Sequence, residues 1–276
     1  MKIRKPEILA TAPSIIWLVL FVFIPAVIIF TIAFKPALPA GGIGDGWSLD
    51  ALRSLKEPIY LTLLLRTVVI SLATTVLCIS LALPVAWYLA KVSPKWRARL
   101  LMLIIIPFWT NFIIRVFAWQ QILQAEGAVA GAFRSLGVLG ESDRLLGNSV
   151  AVVLVSVYTY LPFAILPIFA AAEKFDFHLL DAARDLGAKP FRAFRSIFLP
   201  GVRQGLVTAV LIVFIPMLGS YVIPDMVGGT DSQMIGNKIA QRNFNDRNVP
   251  QAAALSAALT LLVLAPMLLR RKEKSA

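Results

Sequence analysis

Six stretches of almost unbroken apolar residues, at 15–34, 67–90, 100–123, 148–172, 205–224 and 252–269, alternate with polar segments along this chain. Each can cross roughly 30 Å of hydrocarbon at about 1.5 Å per residue, so each predicts a transmembrane helix. Backbone groups in lipid must be satisfied within their own segment. The pattern therefore predicts an all-α integral membrane protein of six transmembrane helices, folded as one domain over 1–276. Pro162 and Pro167 in the fourth stretch and Pro216 in the fifth each free a carbonyl, which places those helices toward the bundle interior. Residues 35–66 form a long polar connection in which Leu49, Leu52, Leu55 and Ile59 recur near helical period, predicting a surface-lying amphipathic helix. Residues 91–99 form a short basic hairpin with Pro94 at its turn.

The segment 173–200 is different, being polar, long and punctuated. Residues 177–186 predict a short helix stopped by Gly187, and 190–198 a second one begun by Pro190. Ala182 and Ala183 carry little bulk, so a partner surface could approach there, with Asp181, Arg184 and Asp185 offering charged hydrogen bonds. Leu179, Leu186, Phe191, Phe194 and Phe198 are expected to bury beneath this helix-turn-helix. Leu199-Pro200 is expected to end it and return the chain to the membrane, where Gly201 and Gly205, four apart, would allow close helix approach.

Composition agrees with the pattern: 58% hydrophobic residues, 15% charged and a mean hydropathy of +0.79 lie far from the soluble norm of roughly a quarter charged. The formal charge of +12 would suggest nucleic acid in a soluble protein, but its distribution argues otherwise. With the N-terminus inside, 1–14, 91–99, 173–204 and 270–276 hold seventeen basic and six acidic residues, while the opposite side holds nine of each. A one-sided basic surplus predicts that both termini and the loop 173–200 are cytoplasmic, and no nucleic-acid partner is needed. The first apolar stretch follows Lys2, Arg4 and Lys5. It is longer than the apolar core of about 7–15 residues in a signal peptide, so it is expected to remain as an anchor. Cys78 is the single cysteine, so no intramolecular disulfide can form.

Catalytic chemistry is not visible. There is one histidine, His178, with no second ligand at metal spacing, and no H-E-x-x-H, G-x-S-x-G or G-x-x-x-x-G-K-[ST] motif. The chain is therefore expected to be no enzyme and to bind no cofactor or metal. No carboxylate lies inside an apolar stretch, whereas an ion-coupled carrier would be expected to place some near the midplane. The intramembrane polar residues are Asn111 and Arg115, which with Trp119 recur every four positions. Arg115 is either a pathway residue or a cation that snorkels to the outer interface. Trp119, Tyr158, Tyr160, Tyr221 and Asp225 are candidates for contact with a solute, Tyr158 and Tyr160 facing nearly opposite ways.

The spacing Asp181-Ala182-Ala183, three residues, Gly187, nine residues, Ile197, one residue, Leu199-Pro200 resembles the EAA loop of ABC importer permeases, with Asp181 where Glu is usual. The segments 83–90, 110–119, 218–229 and 234–237 further resemble the spermidine/putrescine permeases of PotB and PotH type. The resemblance implies that 173–200 is a coupling loop in which Asp181, Ala182, Ala183, Gly187, Leu199 and Pro200 transmit the closure of a cytoplasmic ATPase dimer. ATP and Mg would reside on that ATPase. A second six-span permease subunit in a heterodimer, an extracytoplasmic solute-binding protein and a location in the bacterial inner membrane are also implied. The cargo implied is a polyamine, moved by alternating access. Two features leave other readings open: Ser220 stands where the family often has an acidic residue, and Arg115 would suit an anion. Another small solute, such as an amino-acid derivative or small anion, is the alternative, with an ion-coupled secondary transporter behind it.

Overall fold

The computed structural model describes residues 5–137, 140 and 144–273. Its regular elements are helices; among the described residues the only β pairing is an isolated bridge between Ala37 and Ile43. In chain order, α1 (Lys5–Leu18) passes through a π turn (Val19–Phe23) into α2 (Ile24–Ile32), followed by α3 (Asp50–Ser54) and α4 (Pro58–Lys91). α5 (Pro94–Ile105), a 3-10 turn (Ile106–Trp109), α6 (Phe112–Leu123), α7 (Ala128–Ser135) and α8 (Ser149–Glu173) come next. Then come α9 (His178–Asp185), α10 (Pro190–Ala193), a π turn (Phe194–Phe198) and α11 (Leu199–Gly201). α12 (Arg203–Leu218), α13 (Val222–Val227), α14 (Ile235–Ala240) and α15 (Val249–Glu273) complete the order.

Among the described residues, three helical stretches are continuous and long and apolar enough to cross a membrane: Thr11–Ile32, Pro58–Lys91 and Ser149–Glu173. Pro94–Trp109 with Phe112–Leu123, and Pro190–Gly201 with Arg203–Leu218, qualify only as pairs bent by 90° and 71°, and Val249–Leu264 is a shorter apolar helix. The stretch 100–123 is thus not one straight helix. Pro107 removes a backbone donor, the chain tightens into the 3-10 turn, and Thr110 is extended at ψ 153. Asn111 then starts α6 by accepting a hydrogen bond from Ile113 N through its side chain, at 2.8 Å. It therefore caps the helix rather than sharing a helical face with Arg115 and Trp119.

Proline does not always break the chain. Before Pro25 and again before Pro200 the helix widens into a π turn, with Ile24 N donating to Val19 O and Leu199 N to Phe194 O. The wider ladder absorbs the missing proline donor. For that reason Leu199-Pro200 does not end the second loop helix as expected; helical geometry continues to Gly201 and breaks at Val202.

The chain forms two compact units, Leu64–Met234 and Met1–Leu63 with Ile235–Ala276. In Leu64–Met234 the core is built on small residues. Cys78, Ala82 and Ala86 of α4, Ala164 and Ile168 of α8, and Ala209 and Val213 of α12 are fully buried together. Gly205 brings α12 so near α8 that a Cβ there would lie 2.5 Å from Pro167 O. Without water to drive helices together, close van der Waals packing of small residues does it.

In the other unit α15 packs against α2 and α3 through Ala33, Ala51, Ala253 and Ala254. The amphipathic helix expected around 49–59 is only the five residues of α3, with Leu49 and Ile59 half exposed and Leu52 and Leu55 turned toward those alanines. Buried Gln251 holds this unit by donating from Nε2 to Ser54 Oγ (2.9 Å) and Tyr60 Oη (2.8 Å). Tyr60 also accepts from Arg242 Nη2 at 3.2 Å.

Candidate functional site

The loop 173–200 is a hairpin of two short helices whose turn is defined by its hydrogen bonds. Gly187 N donates to Arg184 O (2.8 Å) and Ala188 N to Ala183 O (3.0 Å), the paired bonds of a Schellman stop. Gly187 has φ +85, a left-handed conformation that a residue with a Cβ adopts only under strain. Lys189 is extended and Pro190 begins α10. At the other end, Asp176 Oδ1 accepts from His178 N at 3.0 Å and starts α9.

This geometry sorts the side chains differently from the sequence expectation. Leu180, Ala183, Ala193 and Phe198 form the buried face. Leu179, Leu186 and Phe191, expected beneath the loop, point outward, with Leu186 89% and Phe191 75% exposed. The Schellman turn swings Leu186 to the tip, where nothing of its own chain covers it. Asp181, Ala182 and Pro200 are exposed, while Leu199 is partly buried. Of the two alanines only Ala182 is free for a partner, since Ala183 is 8% exposed and packed against its own chain. Asp181 and Arg184 approach to 3.8 Å on the surface, a pair of small energetic weight.

Beneath the hairpin lies an aromatic cluster. The Trp87 ring, near the end of α4, meets Phe198 at 4.5 Å, Phe177 at 5.3 Å and Phe194 at 5.4 Å, all edge-on. Lys91 Nζ lies 4.2 Å from the Trp87 ring centre. In the sequence Trp87 is marked only by lying within the segment 83–90 that carries the family resemblance. Its chemistry-bearing signal was a tryptophan one helical turn before a lysine at a helix end.

A second constellation gathers at the break before α6. Trp119 meets Tyr158 edge-on at 5.3 Å, and Tyr158 stacks on Phe108 at 6.2 Å. The Arg115 guanidinium lies 4.5 Å from the Phe108 ring centre. Its Nε and Nη1 are shut off from solvent without a hydrogen-bond partner. Phe108 was not among the sequence candidates, although the Pro107 beside it marks the bend that brings it in. Tyr160 is not part of this group; it packs against the buried clusters of α4, α8 and α12. Tyr221 and Asp225 are exposed at the start of α13. Nearby, Gln120, Gln124, Arg144, Met226 and Gly228 bound an open cavity of 450 Å³.

The sequence profile of the binding-protein-dependent transport system inner membrane component family matches residues 59–274. The chain belongs to this family. It is similar to the spermidine/putrescine transport system permease protein PotB of Salmonella typhimurium (strain SL1344), 38% identical over 247 residues that cover 90% of this chain and 86% of the relative. The PotB of Escherichia coli (strain K12) is 37% identical over 90% of both chains. In fold, the chain resembles a subunit in the crystal structure of a bacterial ABC transporter that imports the acidic polysaccharide alginate. The TM-score is 0.69 at 17% identity, over 97% of this chain and 96% of that one. A second structure of the bacterial alginate transporter, in complex with an alginate pentasaccharide-bound periplasmic protein, gives 0.65 at 16% identity, over 94% and 89%.

The protein is therefore an inner-membrane permease of the ABC importer class, similar to PotB, and a multi-pass membrane protein. The profile covers the whole Leu64–Met234 unit, including the hairpin, the aromatic cluster and the bend at Asn111. α1 and α2 lie outside the matched residues.

Proposed function

We propose that this permease carries polyamines of the spermidine/putrescine class into the cytoplasm by ATP-driven alternating access, as one membrane subunit of an assembly. The observation that carries the reading is the 38% identity to PotB across 90% of the chain. In this reading the chain spans the membrane six times with both termini inside. The hairpin at 173–200 seats in a cytoplasmic ATPase dimer that binds the ATP and Mg, and a second, related permease completes the pathway. A solute-binding protein delivers cargo from outside. The exposed Leu186 and Phe191 supply apolar contact to the ATPase, with Ala182 leaving room and Asp181 at the rim. Trp119 and Tyr158 offer the aromatic faces that a flexible polycation uses, at about 0.5–2 kcal/mol per cation-π contact.

Arg115 favours a second reading of the cargo. A guanidinium with two unpartnered buried nitrogens beside the aromatic group suits an anion or an anionic substituent better than a polycation. The same machinery carrying a small anion or amino-acid derivative is that alternative.

Both are tested by reconstituting the permease with its ATPase, partner permease and binding protein in proteoliposomes. Uptake of labelled spermidine or putrescine that requires ATP and the binding protein is expected. Ala182→Leu should lower co-purification of the ATPase at least tenfold while leaving thermal stability unchanged. Uptake without any ATPase would overturn the ABC reading, and uptake confined to small anions would overturn the cargo.

A further inference from the structure

We propose that Trp87 is a positioning residue that makes α4 move as one body with the loop hairpin, giving the ATPase a mechanical route into a helix to which the hairpin is not covalently joined. The inference rests on the reading of 173–200 as the ATPase-docking loop.

By connectivity alone the hairpin pulls only on α8, which precedes it, and on α12, which follows it. The packing adds a third element. Phe198, fully buried, is the centre of the cluster. It meets Phe175 and Phe194 at 5.3 Å within the loop region and Trp87 of α4 at 4.5 Å. Phe177, at the start of α9, meets the same indole edge-on at 5.3 Å. Trp87 thus contacts residues from both arms of the hairpin, so displacement of either arm meets its ring. Close-packed aromatic rings transmit displacement because interiors have little void to take it up.

A polar clamp stiffens the receiving end. Arg97, on α5, donates from Nε to Leu89 O at 3.1 Å and from Nη2 to Ala90 O at 3.2 Å. These are carbonyls of the last turn of α4, which have no partner within the helix. The same guanidinium donates from Nη1 to Glu173 Oε1 at the end of α8. Lys91 lies over both Trp87 and Phe177, at 4.2 and 5.1 Å. The ends of α4 and α8 and the start of α5 are therefore tied at the level of the cluster, and the hairpin grips the tie through Trp87.

The test uses the complete complex in lipid nanodiscs, with Ser93→Cys and Arg192→Cys spin-labelled in a Cys78→Ala background. Ser93 follows α4 and Arg192 sits on α10, both exposed. In the parent complex the distance between labels should stay within about 2 Å between the nucleotide-free and ATP-vanadate states, because the two elements travel together. Trp87→Ala should retain the ATPase subunit within twofold and leave the KM for ATP unchanged. It should also broaden or shift the distance on trapping, and cut spermidine uptake per ATP hydrolysed at least tenfold. Trp87→Phe should restore both readouts to within threefold. If Trp87→Ala does not assemble, Phe177→Leu keeps apolar bulk and should shift the distance in the same way. A parent distance that changes on trapping overturns the inference. So do variants that match the parent in distance and coupling, or that lose the ATPase in proportion to uptake. A parent complex that never holds the ATPase would instead sink the docking reading.

Discussion

Gly205→Ala should loosen the contact between α8 and α12, and the cost follows from the distances around that glycine. A Cβ there would lie 2.5 Å from Pro167 O, 2.7 Å from Ala171 Cβ and 3.1 Å from Ile168 Cα. Carbon atoms rest at about 3.5–4.0 Å, so α12 must retreat by roughly 1 Å, and none of those three atoms can rotate away. A gap of about 0.5–1 Å already forfeits a quarter to a half of the dispersion energy between facing atoms. The contacts at risk are those of the fully buried Ala164, Ile168, Ala209 and Val213. Overpacking of this kind costs about 1–3 kcal/mol. Replacing glycine by alanine in a helix returns about 0.8–1 kcal/mol. At mid-range the net expectation is a loss of about 1 kcal/mol, or about 2–4 °C in apparent Tm. Gly201→Ala is the internal control. Its Cβ would meet the side of the Phe175 ring at 2.5 and 2.6 Å, an equally short approach but to a partly exposed side-chain ring rather than to backbone. The assay is thermal unfolding of the purified permease in nanodiscs at one scan rate, since membrane proteins unfold irreversibly. Gly205→Ala as stable as the parent, or Gly201→Ala the more damaging of the two, would refute the reasoning.

Two further outcomes are expected. Gly187→Ala should strain the Schellman turn by about 1–2 kcal/mol, because φ is +85 although no atom lies within 4 Å of the added Cβ. Gly187→Asn should be milder, and limited proteolysis at 186–190 ranks the two. Tyr60→Phe leaves the buried Gln251 amide with Ser54 as its remaining Nε2 partner and frees Arg242 Nη2, costing about 1–3 kcal/mol. Hydrogen exchange of the α15 amides near Gln251 should quicken in that variant while those of α8 do not change.

Much of this protein was legible one residue at a time. Apolar runs of about 20 residues mark membrane helices because lipid offers the backbone no partner. Gly187 marks a helix stop because its backbone angle is a local property, and the Schellman bonds lie where the sequence placed the turn. The break in 100–123 was harder, because hydropathy does not register the loss of a hydrogen-bond ladder. Only Pro107 and the capping Asn111 record it. Pro200 misled in the opposite direction, since a widened π turn accommodates it without ending the helix.

By itself the sequence determined the chemistry class: an apolar, helix-forming chain with one long, punctuated polar loop, and no recognisable catalytic or nucleotide motif. Only the tertiary structure decided which side chains of that loop look inward. Hydrophobicity ranks Leu186 and Phe191 with Phe198, yet the first two are exposed and the third is fully buried. The reason is that burial depends on what stands opposite. Trp87 is more than a hundred residues before Phe198, and only folding brings α4 to the hairpin. The constellation of Arg115, Phe108, Tyr158 and Trp119 likewise exists because a 90° bend folds one half of a broken span toward the other and against α8.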